Sequence, residues 1–190
     1  MAAKSNLLNM VLVLGLTCLL CSAILGGAYA ITKDPIDKAA EAKTARSISE
    51  VLPEFTNLEE GNIDLENGLS FGYYKAMADT SLVGYAIKST VSGFGGPLTL
   101  LVGITADGIV YNTSVLSHTE TPGLGAKCQT DAKFMEQWKG LDPSVTTLSV
   151  KKDGGSIDAI TASTITSRAY TLAVANALEA FASLGGQSNE

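Results

Sequence analysis

The chain opens with an unbroken apolar segment and then changes to alternating apolar and polar positions. No acidic or basic side chain lies between Lys4 and Lys33, and residues 7–30 are almost wholly apolar. As a helix this run is about 36 Å long, which exceeds the roughly 30 Å hydrocarbon layer of a bilayer. The pattern therefore predicts a transmembrane helix from Leu7 to Ala30, with residues 1–31 as a membrane anchor.

A cleaved secretory signal is the alternative interpretation of the same run. Ala28-Tyr29-Ala30 has the small-x-small pattern of a cleavage site. The apolar run, however, is longer than the roughly 7 to 15 residues of a signal core. We therefore expect the helix to be retained.

A helical stalk and linker are predicted for residues 32–64. Pro35 sits where a helix could begin, and apolar residues then recur every three or four positions until Pro53. Glycine, asparagine and acidic residues between Asn57 and Gly68 indicate a loop after this helix.

The remainder, residues 65–190, is predicted to be one α+β domain with a mostly antiparallel twisted sheet flanked by helices. Alternating positions bounded by turn residues predict strands at 69–77, 82–89, 98–106 and 109–117, and a further strand at 145–151. The Asp107-Gly108 pair is a strong hairpin signal, which favours antiparallel pairing.

Two helices are predicted in the same domain. The first is short, at residues 130–139, with Phe134, Met135 and Trp138 on or near one face. The second, at residues 163–184, is stopped by Gly185 and Gly186. Its apolar positions repeat at helical spacing: Tyr170, Val174, Ala177, Phe181 and Leu184.

Composition excludes several functional classes. The chain holds 19 acidic and 13 basic residues, and its net charge of −6 would repel a phosphate backbone. Nucleic acid is therefore not an expected partner. Cys128 is the only cysteine beyond the apolar run, so no disulfide can form within the domain. One histidine and one domain cysteine also argue against a zinc or iron–sulfur site.

Hydroxyl side chains dominate the segment Thr161–Ser167, where the last predicted helix begins. Helix capping accounts for one or two of them. A helix start also offers unpaired N–H groups and a positive dipole end, which suit a phosphate or another anion. These residues alone leave capping and anion binding both open.

A second constellation, His118 to Gly125, leaves the end of a predicted strand. Its proline and two glycines impose a loop with exposed backbone, against which a flat ligand could lie with Leu124 as an apolar contact. A structural turn explains the same residues equally well. His118 and Glu120 could form an acid–base pair, but we expect a solvated histidine here.

Together these motifs resemble the covalent FMN-binding domain found in the G subunit of the Rnf electron transport complex. The C subunit of the sodium-pumping NADH:quinone reductase is a related protein. The resemblance rests on the loop at 118–125, the Gly-Phe-Gly-Gly-Pro-Leu stretch at 93–98, the Lys-Lys-Asp-Gly-Gly stretch at 151–155 and Asp158-x-x-Thr161-x-x-Thr164. In that family a flavin transferase attaches FMN through its phosphate to a threonine within Asp-x-x-(Ser/Thr)-Gly-Ala-Thr.

The resemblance implies that Thr164 carries FMN through a phosphoester bond. Ala162 and Ser163 stand where the family pattern has glycine and alanine. No catalytic base and no metal ligand are implied. The implied cofactor-binding residues are the attachment threonine, its neighbouring hydroxyls and the ring or phosphate neighbours: Thr164, Thr161, Ser163, Thr166, Asp158, Lys152, Glu120, Thr121, Gly123 and Leu124.

The resemblance also implies a function and a location. The function is that of an electron-carrying flavoprotein within a membrane complex that couples ferredoxin and NAD chemistry to sodium or proton translocation. Its partners would be the other subunits and the flavin transferase, and its domain would face the periplasmic side of the inner membrane. The positive charges that follow the apolar run favour the opposite, cytoplasmic side: Lys33, Lys38, Lys43 and Arg46.

Two further functions remain open from the residues themselves. One is a membrane-tethered extracytoplasmic binding module without redox activity, whose glycine-rich loops receive a peptide or a small anion. The other is a hydrolase that uses a hydroxyl with His118, although no nucleophile-elbow or Ser-x-x-Lys motif is present.

Overall fold

The computed structural model describes residues 7–65 and 68–187. The chain forms two compact units, one up to Ala42 and one from Lys43 onward. The first helix, α1, runs from Leu7 to Val51 and so contributes to both units. In the first unit α1 is exposed, and it is long and apolar enough to cross a membrane.

Pro35 does not begin a new helix, contrary to the sequence prediction. It lies inside α1, where proline removes one backbone hydrogen bond at a cost of about 3 kcal/mol. The sequence after Pro35 is rich in alanine, lysine and glutamate, which are strong helix formers. We attribute the continuation of the helix to those residues.

The second unit is built on a five-stranded antiparallel sheet whose strands follow chain order. This confirms the predicted α+β class, and four of the strands match predicted ones to within a few residues. The strands are β1 Asn57–Asp64, β2 Ser70–Ala78, β3 Ser81–Ser92, β4 Pro97–Thr105 and β5 Val110–His118.

Strand β1 corrects the prediction of a loop from Asn57 to Gly68. It pairs with β2 along its whole length, from Asn57 opposite Met77 to Asp64 opposite Ser70. Only Ile63 of β1 is buried, because this is an edge strand with most of its side chains in solvent. Its polar composition therefore resembles that of a loop.

The predicted strand at 145–151 is also wrong. Only an isolated parallel bridge joins Val150 to Ile157, and Val145 is 81% exposed. A turn through Gly154, whose φ is +84°, brings Gly155 against the carbonyl group of Ser149. This tight return leaves no room for a neighbouring strand.

Two helices complete the second unit: α2, Ala132–Glu136, and α3, Thr164–Gln187. Both were predicted, although α3 continues through Gly185 and Gly186 instead of stopping there. Asp131 caps α2 by accepting a hydrogen bond from the N–H of Phe134 at 3.3 Å.

Each face of the sheet is covered by apolar side chains. On one face α3 and α2 close the main core, in which the Trp138 ring stacks on Tyr170 with centroids 5.1 Å apart. On the other face the last turns of α1 pack through Ile48, Val51 and Leu52. Gly103 of β4 lies directly against the Val51 carbonyl group, where no side chain would fit.

Candidate functional site

A half-open cavity of about 320 Å³ lies where three segments of the second unit meet. The segments are the β3–β4 loop at 93–96, the loop at 118–125 and the first turn of α3. The volume falls at the lower end of the range for small-molecule sites. The cavity is lined by Phe94, Glu120, Thr121, Leu124, Gly125, Ala162, Ser163, Thr164, Ile165 and Thr166.

The glycines of both loops permit this close approach. A side chain at Gly93 would collide with the carboxylate of Glu120, and one at Gly95 would collide with the backbone of Thr119. A side chain at Gly125 would meet both Glu120 and Thr166. The loops are therefore glycine-rich because they pack against each other and against α3.

Glu120 lies at the centre of the site and is only 5% exposed. Its Oε1 atom accepts a hydrogen bond from the N–H of Phe94 at 2.7 Å, and its Oε2 atom accepts one from the hydroxyl of Thr166 at 2.9 Å. His118 contacts Glu120 differently, because its Nδ1 accepts the Glu120 backbone N–H at 3.2 Å. The two side chains therefore do not form an acid–base pair in this structure.

The start of α3 offers hydrogen-bonding groups that the protein itself does not use. The Oγ atom of Ser163 is buried and has no partner among the described residues. The backbone N–H groups of Thr164, Ile165 and Thr166 likewise find no acceptor among them, as expected for a first helical turn. An anionic group in the cavity would meet these donors and the positive end of the helix dipole.

Ala162 adopts a left-handed backbone conformation, with φ at +62°. This conformation explains why the resembled motif has glycine there, since a Cβ in this region costs about 1 to 2 kcal/mol. Ala162 is therefore a strained position directly before Ser163.

Ala162→Gly is therefore expected to raise the free energy of unfolding by about 1 kcal/mol, or about 2 to 4 °C in a thermal melt of the full chain in detergent. Ala159→Gly is the matched control, because Ala159 is exposed and has no positive φ. It should lose about 0.4 to 1 kcal/mol. Equal destabilisation by both changes would show that Ala162 is unstrained.

Two predicted site residues, Asp158 and Thr161, lie away from the main cavity and line a smaller one of about 120 Å³. Asp158 accepts a hydrogen bond from the Lys151 ammonium at 2.9 Å, which holds the pKa of its carboxyl below the usual value. Its backbone is held by Gln137, whose amide donates to the Asp158 carbonyl at 3.1 Å and accepts its N–H at 2.9 Å.

Gly123 and Lys152 also lie outside the residues that line the cavity. Gly123 has φ at +77° and shapes the turn that leads to Leu124. Lys152 is exposed within a short 3₁₀ turn. Arg168 holds that turn through two hydrogen bonds to the Asp153 carboxylate, both at 2.6 Å.

Sequence reasoning missed the apolar rim of the cavity. Phe94 is 66% exposed, and Ile165 and Leu124 are about half exposed. Of these three, only Leu124 was predicted as a site residue. The signal for Phe94 was its position as a lone aromatic residue between glycines, where it has no strand or helix to join the core.

Cys128 belongs to the main core and is fully buried. Burial raises the pKa of its thiol to about 11, and the nearby charge of Glu120 acts in the same direction. The thiol is therefore protonated at neutral pH and is a poor nucleophile.

The loops and the helix that form the cavity belong to a known class of domain. Residues 93–179 match the FMN-binding domain family, and this range contains both loops and most of α3. In fold, the chain is similar to the crystal structure of the C subunit of the Na⁺-translocating NADH-quinone reductase from Parabacteroides distasonis, with a TM-score of 0.51 and 19% identity over 74% of this chain and 81% of that one.

Comparison over nearly the full chain gives a narrower family than the FMN-binding domain. The chain is 33% identical to the G subunit of the proton-translocating ferredoxin:NAD⁺ oxidoreductase complex of Clostridium ljungdahlii, over 87% of this chain and 86% of that protein. It is 34% identical to the G subunit of the ion-translocating oxidoreductase complex of Haemophilus influenzae, over 83% of this chain and 82% of that one. The chain therefore belongs to the G-subunit family of ion-translocating oxidoreductase complexes, as the sequence resemblance predicted.

Proposed function

We propose that this chain is the electron-carrying flavoprotein of a membrane-bound Rnf-type complex, with FMN linked through its phosphate to Thr164. The complex would couple ferredoxin and NAD redox chemistry to the translocation of sodium ions or protons. Support comes from the FMN-binding domain match and from relatives whose names describe the G subunit of such complexes.

The observation that carries the attachment site is the unused donor set at the start of α3. The Ser163 hydroxyl and the N–H groups of Thr164 to Thr166 have no partners among the described residues, and these residues line the same cavity as Thr164. A phosphoester on Thr164 would keep a negative group close to those donors. Thr164 is half-buried and lines the half-open cavity, which gives a modifying enzyme a route to it.

The chain's own residues would position the cofactor. Phe94, Leu124 and Ile165 supply apolar surface at the cavity mouth, and Ser163 and the helix amides would bind the phosphate. Bound FMN supplies the electron-transfer chemistry, and a half-open cavity leaves part of it within reach of neighbouring carriers. Because a covalent bond retains the cofactor, few contacts are needed to hold it.

The proposal extends to the membrane and to partners. Residues 1–31 would anchor the chain, and the part of α1 that follows them would serve as a stalk, whereas Asn57–Asp64 of the predicted linker pairs into the sheet as β1. The domain would face the periplasmic side of the inner membrane. The apolar span has no charged side chain between Lys4 and Lys33, so other subunits would have to carry the ion path. A flavin transferase would be needed for maturation.

Intact mass of the full chain tests the attachment directly. The chain is produced together with a flavin transferase, and we expect a mass increase equal to FMN less one water. Peptide mapping across residues 152–168 should place the added mass on Thr164. An unmodified chain under these conditions would contradict the proposal and favour the membrane-tethered binding module.

A further inference from the structure

We propose that Glu120 is a positioning residue that acts in two ways. Its carboxylate fastens the 93–96 loop to the first turn of α3 and so holds Phe94 at the cavity mouth. Its negative charge also lowers the reduction potential of a flavin in that cavity. The second part rests on the proposed function, whereas the first part concerns the protein alone.

The fastening is visible in the hydrogen bonds of the carboxylate. Oε1 accepts the N–H of Phe94 at 2.7 Å and that of Gly95 at 3.5 Å, while Oε2 accepts the Thr166 hydroxyl at 2.9 Å. These partners lie 26, 25 and 46 residues away from Glu120 along the chain. Hydrogen bonds to a charged group are about twice as strong as neutral ones. Here they join the 118–125 loop, which carries Glu120, to the 93–96 loop and to the first turn of α3.

The surrounding backbone is shaped to admit this carboxylate. Added side chains at Gly93 and Gly125 would both meet the carboxylate oxygens. Two separate loops thus leave space for the same group. A small neutral residue at position 120 would leave this space unfilled and the Phe94 amide without its acceptor.

The position of Phe94 depends on this arrangement. Its side chain is 66% exposed and gains little from burial in the core, so its place at the cavity mouth must come from its backbone. The Phe94 N–H bond to Glu120 supplies that backbone contact on the side that faces α3. Losing the bond should therefore loosen the loop and move the aromatic ring away from Leu124 and Ile165.

The charge of Glu120 is not balanced by a cation. Among the described residues no lysine, arginine or histidine forms a salt bridge with it. Each electron that a reductant adds to a flavin adds one negative charge unless a proton follows. A carboxylate on the cavity wall opposes that charge, because like charges repel strongly in a partly buried site. The flavin should therefore be harder to reduce than it would be beside a neutral residue.

Two substitutions separate the geometry from the charge. Glu120→Gln keeps an oxygen for the Phe94 N–H and offers an NH₂ group to the Thr166 hydroxyl, but it carries no charge. Glu120→Ala removes both the hydrogen-bonding groups and the charge. Glu136→Gln is the control for charge, since Glu136 lies at the end of α2, outside the residues that line the cavity. Thr166→Val removes one hydrogen bond while nearly keeping the side-chain shape.

Hydrogen exchange measures the fastening before any flavin is attached. In the full chain in detergent, the Phe94 and Gly95 amides should exchange about tenfold faster in Glu120→Ala than in the parent. Thr166→Val and Glu120→Gln should accelerate them less, because each variant keeps an oxygen acceptor for the Phe94 N–H, and Glu136→Gln should stay close to the parent. Unchanged exchange in Glu120→Ala would overturn the fastening role. Should that variant not fold, unchanged exchange in Thr166→Val would do the same.

A redox titration with dithionite measures the charge effect on the flavin-loaded full chain. Glu120→Gln should favour reduction by about tenfold relative to the parent, which corresponds to about +59 mV for a one-electron step. Equal potentials in Glu120→Gln and Glu136→Gln would overturn the electrostatic role. A parent chain that takes up no flavin would contradict the proposed function instead, and the exchange experiment would still decide the fastening.

Discussion

Thr164→Ala is expected to fold normally and to carry no covalent flavin. The Thr164 side chain is half-buried, and its hydroxyl forms no hydrogen bond with the described residues, so little packing depends on it. Even if the hydroxyl contributes to capping α3, its loss costs about 0.5 to 2 kcal/mol. Intact mass after production with the flavin transferase should fall from the modified to the bare value, and flavin fluorescence of the denatured band should disappear.

Two matched variants control for this result. Thr146→Ala removes the same atoms from another half-buried threonine, one that lies outside the 158–164 motif and outside the residues that line the cavity, and it should keep the full modified mass. Ser163→Ala removes the buried unpaired hydroxyl and should also keep the covalent bond. Covalent flavin that persists in Thr164→Ala would move the attachment to Ser163 or Thr166.

Gly103→Ala is expected to be the most destabilising single methyl addition in the sheet that the structure describes. The added Cβ would point into the Val51 carbonyl group, which is backbone and cannot rotate away. Overpacking of this kind costs about 1 to 3 kcal/mol. For a chain of this length that corresponds to a melting temperature lower by about 2 to 12 °C. Circular dichroism of the full chain in detergent would measure it.

Gly72→Ala provides the matched control for that substitution. Gly72 is also inside a strand, but the nearest atom to an added Cβ is Asn62 Oδ1 at 3.4 Å, an ordinary contact. Because alanine also restricts the unfolded chain, this change should be neutral or slightly stabilising. If both variants melt at the same temperature, the end of α1 does not pack on β4 as described.

The parts of the fold that follow a strong periodicity could be predicted from the sequence. Helix α3 has a buried face whose apolar residues recur at helical spacing, and β2 to β5 are apolar segments between turn residues, with β4 buried without a break from Leu98 to Ile104. Strand β1 has no such face, because pairing at the sheet edge buries only Ile63. The predicted strand at 145–151 was wrong for the opposite reason: Val145 is β-branched, which favours a strand, but it is exposed in a turn.

The candidate site was predictable only in part, for a physical reason. Glycine-rich and hydroxyl-rich segments indicate where a backbone opens to a ligand, and they identified both sides of the cavity. The contacts that join those sides, such as Glu120 with Thr166, link residues that lie 46 positions apart. Sequence spacing carries no information about such pairs, so Phe94 and the position of Asp158 outside the cavity became visible only in the structure.

The burial of Cys128 has a practical consequence for handling the protein. A thiol that is fully enclosed and protonated reacts slowly with alkylating agents and with peroxide. The folded protein should therefore tolerate both oxidising and reducing surroundings at this position without forming a bridge or a sulfenic acid. Labelling of Cys128 becomes a measure of how often the domain opens, and the labelled fraction reports unfolding instead of redox state.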